Sequence, residues 1–517
     1  MTKKIFRTAL AASICLGLAS CSLKEDLGST ITKSQADSVI TVASLLKSAY
    51  DNLQMPYQDF SNSWGMSEMS TDEAVGPTRA GDWDDNGVWR QLHQHTWTAD
   101  HAHILGTFNS LLQLQFAATN VLNFRPSAQQ AAEARFLRAL SMYTTLDLWG
   151  QVPFRQPGDN LLEAPKVLKP QEAIDFMVAE LKAIIPDLPG TLATPAYQAN
   201  QSAAKFLLMK IYLNKGAFLN RQTPTFDAGD MQSVISYADE ITGVGFSLAT
   251  NYFDNFAYNN DVISTENIFT QQNGPGLSTV RSGNSAYARW KFTLHYNQDP
   301  SGWNGFATLS NFYDSFEAAD SRRGGPYNIV TAASGLNVGF LFGQQYDKNG
   351  VALKDRKGNM LSFTKEVALK ETGNNLEVTG IRVLKYPPDF VTSGGKAKDG
   401  NDASNDYVFF RYADVLLMKA EAQLRTGQSG PALILVNTLR AKRGASPLTT
   451  LDLTALLAER GRELYWEGWR RQDLIRFGKF LDAWQLKDAD GAPKNLLFPI
   501  PTSGLAVNKN LTQNTGY

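Results

Sequence analysis

The residues with the clearest chemical potential lie in a turn-forming segment around one tryptophan. The segment reads Gly81-Asp82-Trp83-Asp84-Asp85-Asn86-Gly87, and the string Thr71-Asp72-Glu73 precedes it. A flat aromatic ring can stack on the C–H face of a sugar ring, while Asp and Asn side chains hydrogen-bond its hydroxyls. The pattern therefore predicts a sugar-binding loop, with contacts from Trp83, Asp72, Asp82 and Asn86. The alternatives are that Trp83 packs on the scaffold and that Asp72 caps a helix or turn.

Other side chains are further candidates for the same binding face. Trp64 lies in the same Trp-rich region, 61–97, and Trp290 and Tyr296 follow much later in the chain. Arg382 belongs to the string Gly380-Ile-Arg382-Val-Leu-Lys385-Tyr. We expect Arg382 to reach the face that the aromatic side chains form.

Two metal hypotheses arise from the same region. Asp82, Asp84, Asn86 and Gly87 fit the first half of a calcium-binding EF-hand loop, but His93 stands where that loop requires a bidentate Glu. Calcium therefore stays an alternative only.

Four histidines form two H-x-H pairs, an arrangement that could bind zinc on a strand. They are His93, His95, His101 and His103. An apolar pattern from Ile104 to Leu112 predicts a helix that turns His101 and His103 apart. We expect structural roles for these side chains and no metal site.

A dense group of charged residues near the carboxyl end suggests either an anion site or a structural network. Glu463, Glu467 and Arg471 follow one another at i, i+4, so helical spacing would bring them to one face. Bidentate pairs between Arg and carboxylates would then join neighbouring helices, which favours the structural interpretation. The group consists of Arg460, Arg462, Glu463, Glu467, Arg470, Arg471, Asp473 and Arg476.

The composition and the motifs exclude several classes of protein. The 517 residues are 43% hydrophobic, which is enough for a large core, and they carry 49 basic and 50 acidic side chains. Without a run of Lys and Arg, a nucleic-acid partner is not expected. The sequence has no G-x-S-x-G elbow, P-loop, dinucleotide fingerprint or H-E-x-x-H string. We expect a protein that is not an enzyme, although a pair of glycosidase carboxylates would leave no sequence signature.

The first 20 residues have the features of an export signal. Lys3, Lys4 and Arg7 precede an apolar stretch that is too short to span a bilayer. The signal ends in Leu-Ala-Ser-Cys21, which resembles the lipobox of bacterial lipoproteins; an ordinary signal with a chance Cys is the alternative. Lys24, Glu25 and Asp26 follow and resemble a signal for export to the outer cell surface. We expect residues 1–20 to be removed, Cys21 to be lipidated and 21–35 to form a tether.

Apolar residues at helical spacing predict pairs of helices after the tether. The clearest stripe runs from Ala204 to Tyr212, with a predicted end at Gly216, and its partner runs from Val234 to Ile241. Similar pairs start near Phe136 and near Ala413, the second with a stop at Gly427. Small residues at the crossings are typical of tetratricopeptide-like pairs that stack to bury their apolar faces.

The segment between the helical regions has another composition. Residues 247–405 are rich in Gly, Asn, Asp, Ser and Tyr, with short β-like runs at 267–270 and 382–386 and a further run at 407–410. The run Phe306, Leu309, Phe312 and Phe316 predicts one buried helix. The expected fold is mostly α: a helical scaffold in 36–246 and 406–517 with a loop-rich, mixed α/β insertion that carries binding residues.

Several strings together resemble one known family. They resemble the SusD/RagB family of nutrient-binding outer-membrane lipoproteins in order and spacing, and the resemblance extends over essentially the whole mature chain. The strings are Glu133-Ala-Arg-Phe-Leu-Arg138, Asp147-Leu-Trp-Gly-Gln-Val-Pro153, Arg411-Tyr-Ala-Asp414, Arg462-Glu-Leu-Tyr-Trp-Glu467 and the end from Phe498 to Tyr517. Thr515 departs from the family, which frequently has Pro there.

The resemblance implies a fold and a function. It implies about four tetratricopeptide-like helical pairs in a non-catalytic lipoprotein at the cell surface, which captures oligo- or polysaccharide and delivers it to a SusC-like TonB-dependent transporter. It also favours Trp83, and it adds Trp303, in Ser301-Gly-Trp303-Asn304-Gly, as an aromatic that a family loop can present. The alternatives are a protein-interaction scaffold, a receptor for a peptide or another nutrient and, less favoured, a glycoside hydrolase.

Overall fold

The computed structural model describes residues 41–274, 277, 288–391 and 404–517. The predicted signal peptide, the predicted tether and Cys21, the predicted lipidation site, lie outside the described residues. Residues 42–517 form one compact unit in which the scaffold and the insertion share a hydrophobic core.

Helices make up most of the regular structure. In chain order they are α1 (Val42–Asp51), α2 (Ser63–Met69), α3 (Val88–His93), α4 (Ala102–Val121), α5 (Ala128–Trp149), α6 (Pro170–Ile184), α7 (Gln201–Leu219), α8 (Ala228–Val244), α9 (Asn260–Ile263), α10 (Ala288–Lys291), α11 (Ser310–Asp314), α12 (Asn328–Ser334), α13 (Tyr412–Arg425), α14 (Ser429–Lys442), α15 (Leu453–Leu464), α16 (Arg470–Arg476) and α17 (Thr502–Val507).

The predicted helical pairs are confirmed. Helix α5 packs on α6, α7 on α8 and α13 on α14, and α4 packs on α5. Side-chain caps fix where several of these helices begin: Ser127 and Gln130 form a capping box at α5, and Asn200 and Asp227 cap α7 and α8. The predicted stop at Gly427 is also correct, because α13 ends two residues earlier and Gly427 has a φ of 80°.

The predicted helix end at Gly216 is wrong, because α7 continues to Leu219. Gly216 serves packing instead of termination. A Cβ atom at this position would lie 1.7 Å from the carbonyl oxygen of Thr225, which crosses directly over the helix. The glycine therefore lets the following loop approach the helix closely.

Short strands form small sheets among the helices. They are β1 (Ala74–Val75), β2 (Thr78–Arg79), β3 (Val152–Phe154), β4 (Lys166–Leu168), β5 (Asn267–Gln271), β6 (Ala307–Thr308), β7 (Gly324–Gly325), β8 (Val338–Leu341), β9 (Gly343–Gln344), β10 (Ser362–Phe363), β11 (Lys370–Glu371), β12 (Arg382–Leu384) and β13 (Tyr407–Arg411). The three predicted β-like runs correspond to β5, β12 and β13, and β13 pairs with β5 antiparallel.

One antiparallel pair brings the two Trp-bearing loops together. Strand β1 follows the Thr-Asp-Glu string and pairs with β6, with Ala74 opposite Thr308. The single buried helix predicted for 306–316 is therefore wrong in part: its first half is strand β6, and α11 spans only five residues. All four aromatic and leucine side chains of the run are nevertheless buried.

The charged group near the carboxyl end is a buried network, as the structural interpretation predicted. Arg460 donates two hydrogen bonds to Asp473, and Arg476 donates two to Glu421, which joins α16 to α13. The predicted helical spacing through Glu467 is wrong, because α15 ends at Leu464 and α16 starts at Arg470.

Candidate functional site

The loop between β2 and α3 has an unusual backbone. Ala80, Trp83, Asp85 and Asn86 all have a positive φ, between 42° and 61°, and Gly87 has a φ of 78°. A positive φ is rare for a bulky residue and persists only where the surroundings hold it. The strain therefore singles out Trp83 as a side chain that the fold keeps in a fixed place.

The loop that contains Trp303 holds the Trp83 ring. The Trp83 indole N–H donates a hydrogen bond to the Trp303 carbonyl oxygen, at 3.0 Å. A Cβ atom at Gly305 would lie 2.4 Å from the Trp83 ring, so the indole rests on bare backbone there. The two Trp ring centroids are 6.5 Å apart, and both side chains are half-buried. The structure thus brings together two of the predicted site residues.

A cluster of aromatic rings supports this pair from beneath. Phe60 is half-buried and lies 6.1 Å from Trp83 and 6.3 Å from Trp303, between ring centroids. Trp64 belongs to the buried part of the cluster: it is 1% exposed and its indole N–H donates to the Trp466 carbonyl. Trp290 is 3% exposed. Neither Trp64 nor Trp290 presents an open ring face in this structure.

The Trp-rich region is less open than its composition suggests. Helices α2 and α3 occupy its two ends. Trp89 and Trp97 are buried, and their indole N–H groups donate to Asp85 and Tyr517. Among the Trp side chains of 61–97, Trp83 is thus the one that keeps an exposed part.

A cavity of about 190 Å³ adjoins the two Trp loops. The predicted residues Asp82 and Tyr296 line it, and the Tyr296 hydroxyl donates to Asp82 at 3.2 Å. The Arg356 guanidinium lies 3.8 Å from the centroid of the Tyr296 ring, which fixes the ring's orientation. Further walls come from Asn304, Arg79 and Glu377.

Opposite charges balance one another at the rim of this cavity. Glu377 accepts a hydrogen bond from Arg356 Nε at 2.7 Å and contacts His295 Nε2 at 2.9 Å. Burial raises the pKa of Glu377, but these hydrogen bonds outweigh it and hold the pKa below the usual 4.5. Burial lowers the pKa of Arg79 to about 10, which is still high enough to keep its guanidinium charged at neutral pH.

Arg382 does not reach the aromatic face, contrary to the prediction, but lies buried beneath it. Its side chain is fully buried, and its Nη1 donates to the carbonyls of Thr379 and Gly380 at 2.6 Å. Its Nη2 donates to the side-chain oxygen of Asn304 at 2.9 Å. Arg382 therefore orients Asn304, which stands next to Trp303 and lines the cavity.

Trp83 and Trp303 adjoin this cavity without lining it, and two further predicted contacts, Asp72 and Asn86, are also absent from its walls. Both carboxylate oxygens of Asp72 accept hydrogen bonds from Arg470 at 2.7 Å, so Asp72 forms an ion pair and caps neither a helix nor a turn. Asn86 is exposed in the Trp83 loop but is absent from the walls of the cavity.

The predicted calcium ligands have protein partners. Asp84 accepts from Arg90 Nη1 at 2.8 Å, and Asp82 accepts from Tyr296. The histidines that raised the zinc hypothesis are buried or half-buried, and His93, His95 and His101 each contact a backbone carbonyl oxygen. Within the described ranges, no three His, Cys, Asp or Glu side chains gather in a way that could hold a metal ion.

Sequence reasoning missed Asn304, Gly305, Arg79 and Arg356. Asn304 and Gly305 directly follow Trp303, and Asn304 has a φ of 53°. The aromatic-next-to-Asn-Gly pattern is a usable signal for them. Arg79 and Arg356 left no such signal, since segments far apart in the chain bring them to the cavity.

Comparisons with known proteins agree with this architecture. A family model described as "SusD family" matches residues 260–492. The starch-binding protein SusD of Bacteroides thetaiotaomicron is 25% identical over 89% of this chain and 86% of its own. A SusD-like protein of Bacteroides ovatus is 23% identical over 82% of this chain and 74% of its own.

Solved structures share the fold. A SusD superfamily protein from Parabacteroides distasonis superposes with a TM-score of 0.70 at 19% identity, over 94% of this chain and 100% of its own. Surface glycan-binding protein A from B. thetaiotaomicron, solved in complex with laminarihexaose, gives 0.68 at 18% identity over 92% and 98%. The helical scaffold with its strand-bearing insertion is thus the SusD-like fold. The chain is thus similar to proteins of the SusD family over most of its length.

Proposed function

We propose that this chain is a non-catalytic glycan-binding protein that uses the Trp83–Trp303 face to hold sugar rings. The observation that carries the proposal is the pair of half-buried Trp rings, locked at 6.5 Å by a hydrogen bond between their loops. Fixed aromatic faces stack on sugars with little loss of conformational entropy. Asp82, Tyr296 and Asn304 beside them supply groups that exchange hydrogen bonds with hydroxyls.

The names of related proteins support a glycan ligand. One relative is named a starch-binding protein, one solved structure contains laminarihexaose, and another is titled a laminarin-binding SusD-like protein. Starch and laminarin are different glycans, so the binding experiment below includes both.

The acidic residues of the cavity support binding without hydrolysis. A glycosidase needs one carboxyl group that stays protonated near neutral pH, which requires a raised pKa. Hydrogen bonds overcome the effect of burial at Asp355 and Glu377 and lower the pKa of both. Glu68, whose pKa burial raises to about 7, is fully buried and out of a ligand's reach.

The lipid anchor and the transporter belong to the same proposal. None of the helices within the described residues combines the length and apolar character that a bilayer span demands. A lipid on Cys21 would hold the protein at the outer membrane, facing outward. There it would pass glycan to a SusC-like TonB-dependent transporter.

Affinity electrophoresis in gels that contain starch, laminarin, xylan or mannan tests the proposal. We expect at least one glycan to retard the wild-type protein and Trp83→Ala to lose about ten-fold or more in affinity, since one stacking partner is removed. Phe116→Ala is the matched control, because Phe116 is an exposed aromatic on α4, outside both Trp loops and the cavity beside them.

Two outcomes would contradict the proposal. Equal retardation of the Trp83→Ala and wild-type proteins would mean that the glycan binds elsewhere. New reducing ends that appear when purified protein is incubated with the bound glycan would mean that the protein is an enzyme.

A further inference from the structure

A second cavity, of about 500 Å³, lies in a different part of the chain. Three segments enclose it: residues 190–202, which lead into α7, residues 245–247 after α8, and residues 260–268 before and within β5. It shares no lining residue with the cavity beside Trp83. Its volume falls within the range of about 300–1,000 Å³ that is usual for small-molecule sites.

Hydrogen bonds between the three segments hold this cavity open. Asn200 caps α7 and also donates to the Ile268 carbonyl, at 2.9 Å. Thr265 Oγ1 donates to the Ser247 carbonyl at 2.8 Å, and the Ser247 N–H donates back to the Thr265 carbonyl at 3.2 Å. The walls are therefore fixed before any ligand arrives.

One buried polar atom in the walls lacks a hydrogen-bond partner among the described residues. Asn267 is 8% exposed; its Nδ2 donates to the Asn255 carbonyl, but its Oδ1 is without a partner among the described residues. Buried polar groups are normally satisfied, so the Asn267 Oδ1 offers a free acceptor to a polar ligand in this cavity. Ser202, which is 5% exposed, adds a hydroxyl to the same walls.

The chemistry of the walls indicates what that ligand is. Tyr197 and Phe246 are half-buried rings that can cover an apolar C–H face. Thr and Ser hydroxyls surround them, and Asp261 is the single charged side chain among the described residues of the walls. A neutral ligand with many hydroxyl groups fits this environment better than an anion or a cation.

We propose that this second cavity binds one or two units of a neutral sugar. It shares no lining residue with the cavity beside the Trp83 face, so the two sites would contact different parts of one polysaccharide or two chains. A second contact raises the avidity for long glycans without raising the affinity for short ones that reach one site. The inference goes beyond the proposed function and can stand without it.

Ligand-observed NMR on the full chain tests the second site. The probes are malto-, laminari-, xylo- and manno-oligosaccharides, each with wild-type protein and with Trp83→Ala. We expect a signal that persists in Trp83→Ala and falls about ten-fold in the double variant Trp83→Ala, Tyr197→Ala, which removes one ring from the wall. Ser247 lies at an exposed position of the wall. Ser247→Arg, added to Trp83→Ala, should abolish the remaining signal by filling the cavity without contacting the core.

Tyr346→Ala is the control, because Tyr346 is 48% exposed and lines neither cavity. Loss of every signal in Trp83→Ala would overturn the second site and leave the Trp83 site intact. If all of the wild-type signal persisted in Trp83→Ala and all of it disappeared in Ser247→Arg alone, the Trp83 site would be overturned and this inference would stand. Absence of a signal from all four sugars with wild-type protein would overturn both.

Discussion

At the scale of single residues, the geometry of the proposed binding face depends on one glycine as well as on two tryptophans. Trp83 has a positive φ, which is unfavourable for its bulk, and its ring is held by contacts to Trp303 and Gly305. The sequence predicted the aromatic residues because ring and turn residues stand together. It could not predict their contact, because Trp83 and Trp303 are 220 positions apart.

Gly305→Ala tests whether this contact positions the ring. The new methyl group would lie 2.4 Å from the Trp83 ring and 2.8 Å from the Phe292 carbonyl, so the indole must move. We expect glycan affinity to fall about ten-fold, nearly as far as in Trp83→Ala, with circular dichroism unchanged. Affinity electrophoresis against the glycan that retards the wild-type protein measures the effect.

Gly81→Ala is the control for Gly305→Ala. Gly81 lies in the Trp83 loop itself, but a Cβ atom there would meet nothing within 4 Å. We expect binding within about two-fold of wild type, since no atom has to move. If both alanine variants bound like wild type, the fixed position of the ring would not matter for affinity.

At the scale of elements, apolar spacing was enough to predict the helical pairs but not every helix end. The pairs α5–α6, α7–α8 and α13–α14 each bury a continuous stripe, which a periodic pattern reveals directly. Gly216 was misinterpreted because the sequence does not show which backbone crosses a helix. Glu467 was misplaced for a related reason: Trp466 and Gly468 break the helix there with positive φ angles.

Alanine replacements at two helical glycines distinguish a glycine that is needed for packing from one that only lowers the stability of its helix. Gly216→Ala would place a methyl group on the Thr225 carbonyl oxygen, and we expect a loss of about 1–3 kcal/mol in the free energy of unfolding. Gly243→Ala, in α8, meets no atom within 4 Å and should stabilise the protein by about 0.5–1 kcal/mol through helix propensity. Urea denaturation measures both, and a stabilised Gly216→Ala protein would contradict the packing role.

At the scale of the whole molecule, buried ion pairs join the helical scaffold to the insertion. Glu463 of α15 accepts hydrogen bonds from Arg411 and Arg443, and from Arg322, which lies in the insertion. All four side chains are at most 1% exposed. The sequence allowed the prediction of a structural network because acidic and basic residues alternate there, but the partners from the insertion were not predictable.

Glu463→Gln should strongly destabilise the fold. It leaves three buried guanidinium groups short of one negative charge, which costs about 3–5 kcal/mol in the free energy of unfolding. The control is Glu240→Gln, which removes an exposed carboxylate paired with Lys205 and should cost less than about 1 kcal/mol. A destabilisation of Glu463→Gln as small as that of the control would show that the network adds little.

The loss of stability caused by Glu463→Gln should depend on pH. Burial raises the pKa of Glu463, but the three Arg charges outweigh it and hold the pKa below 4.5, its value when unfolded. A depressed carboxyl pKa adds stability that is present above pH 4.5 and is lost as the pH falls below it. The difference in stability between wild type and Glu463→Gln should therefore narrow in acid.

The interlocked Trp loops have a consequence for exchanging ligand preference between related proteins. The ring of one loop rests on the bare backbone of the other, and β1 and β6 tie the bases of both loops together. A donor segment that replaces 80–87 alone would meet a surface shaped for a different ring. If the proposed site is correct, residues 80–87 and 301–306 should therefore be exchanged together, and we expect ligand preference to follow the pair and not either loop alone.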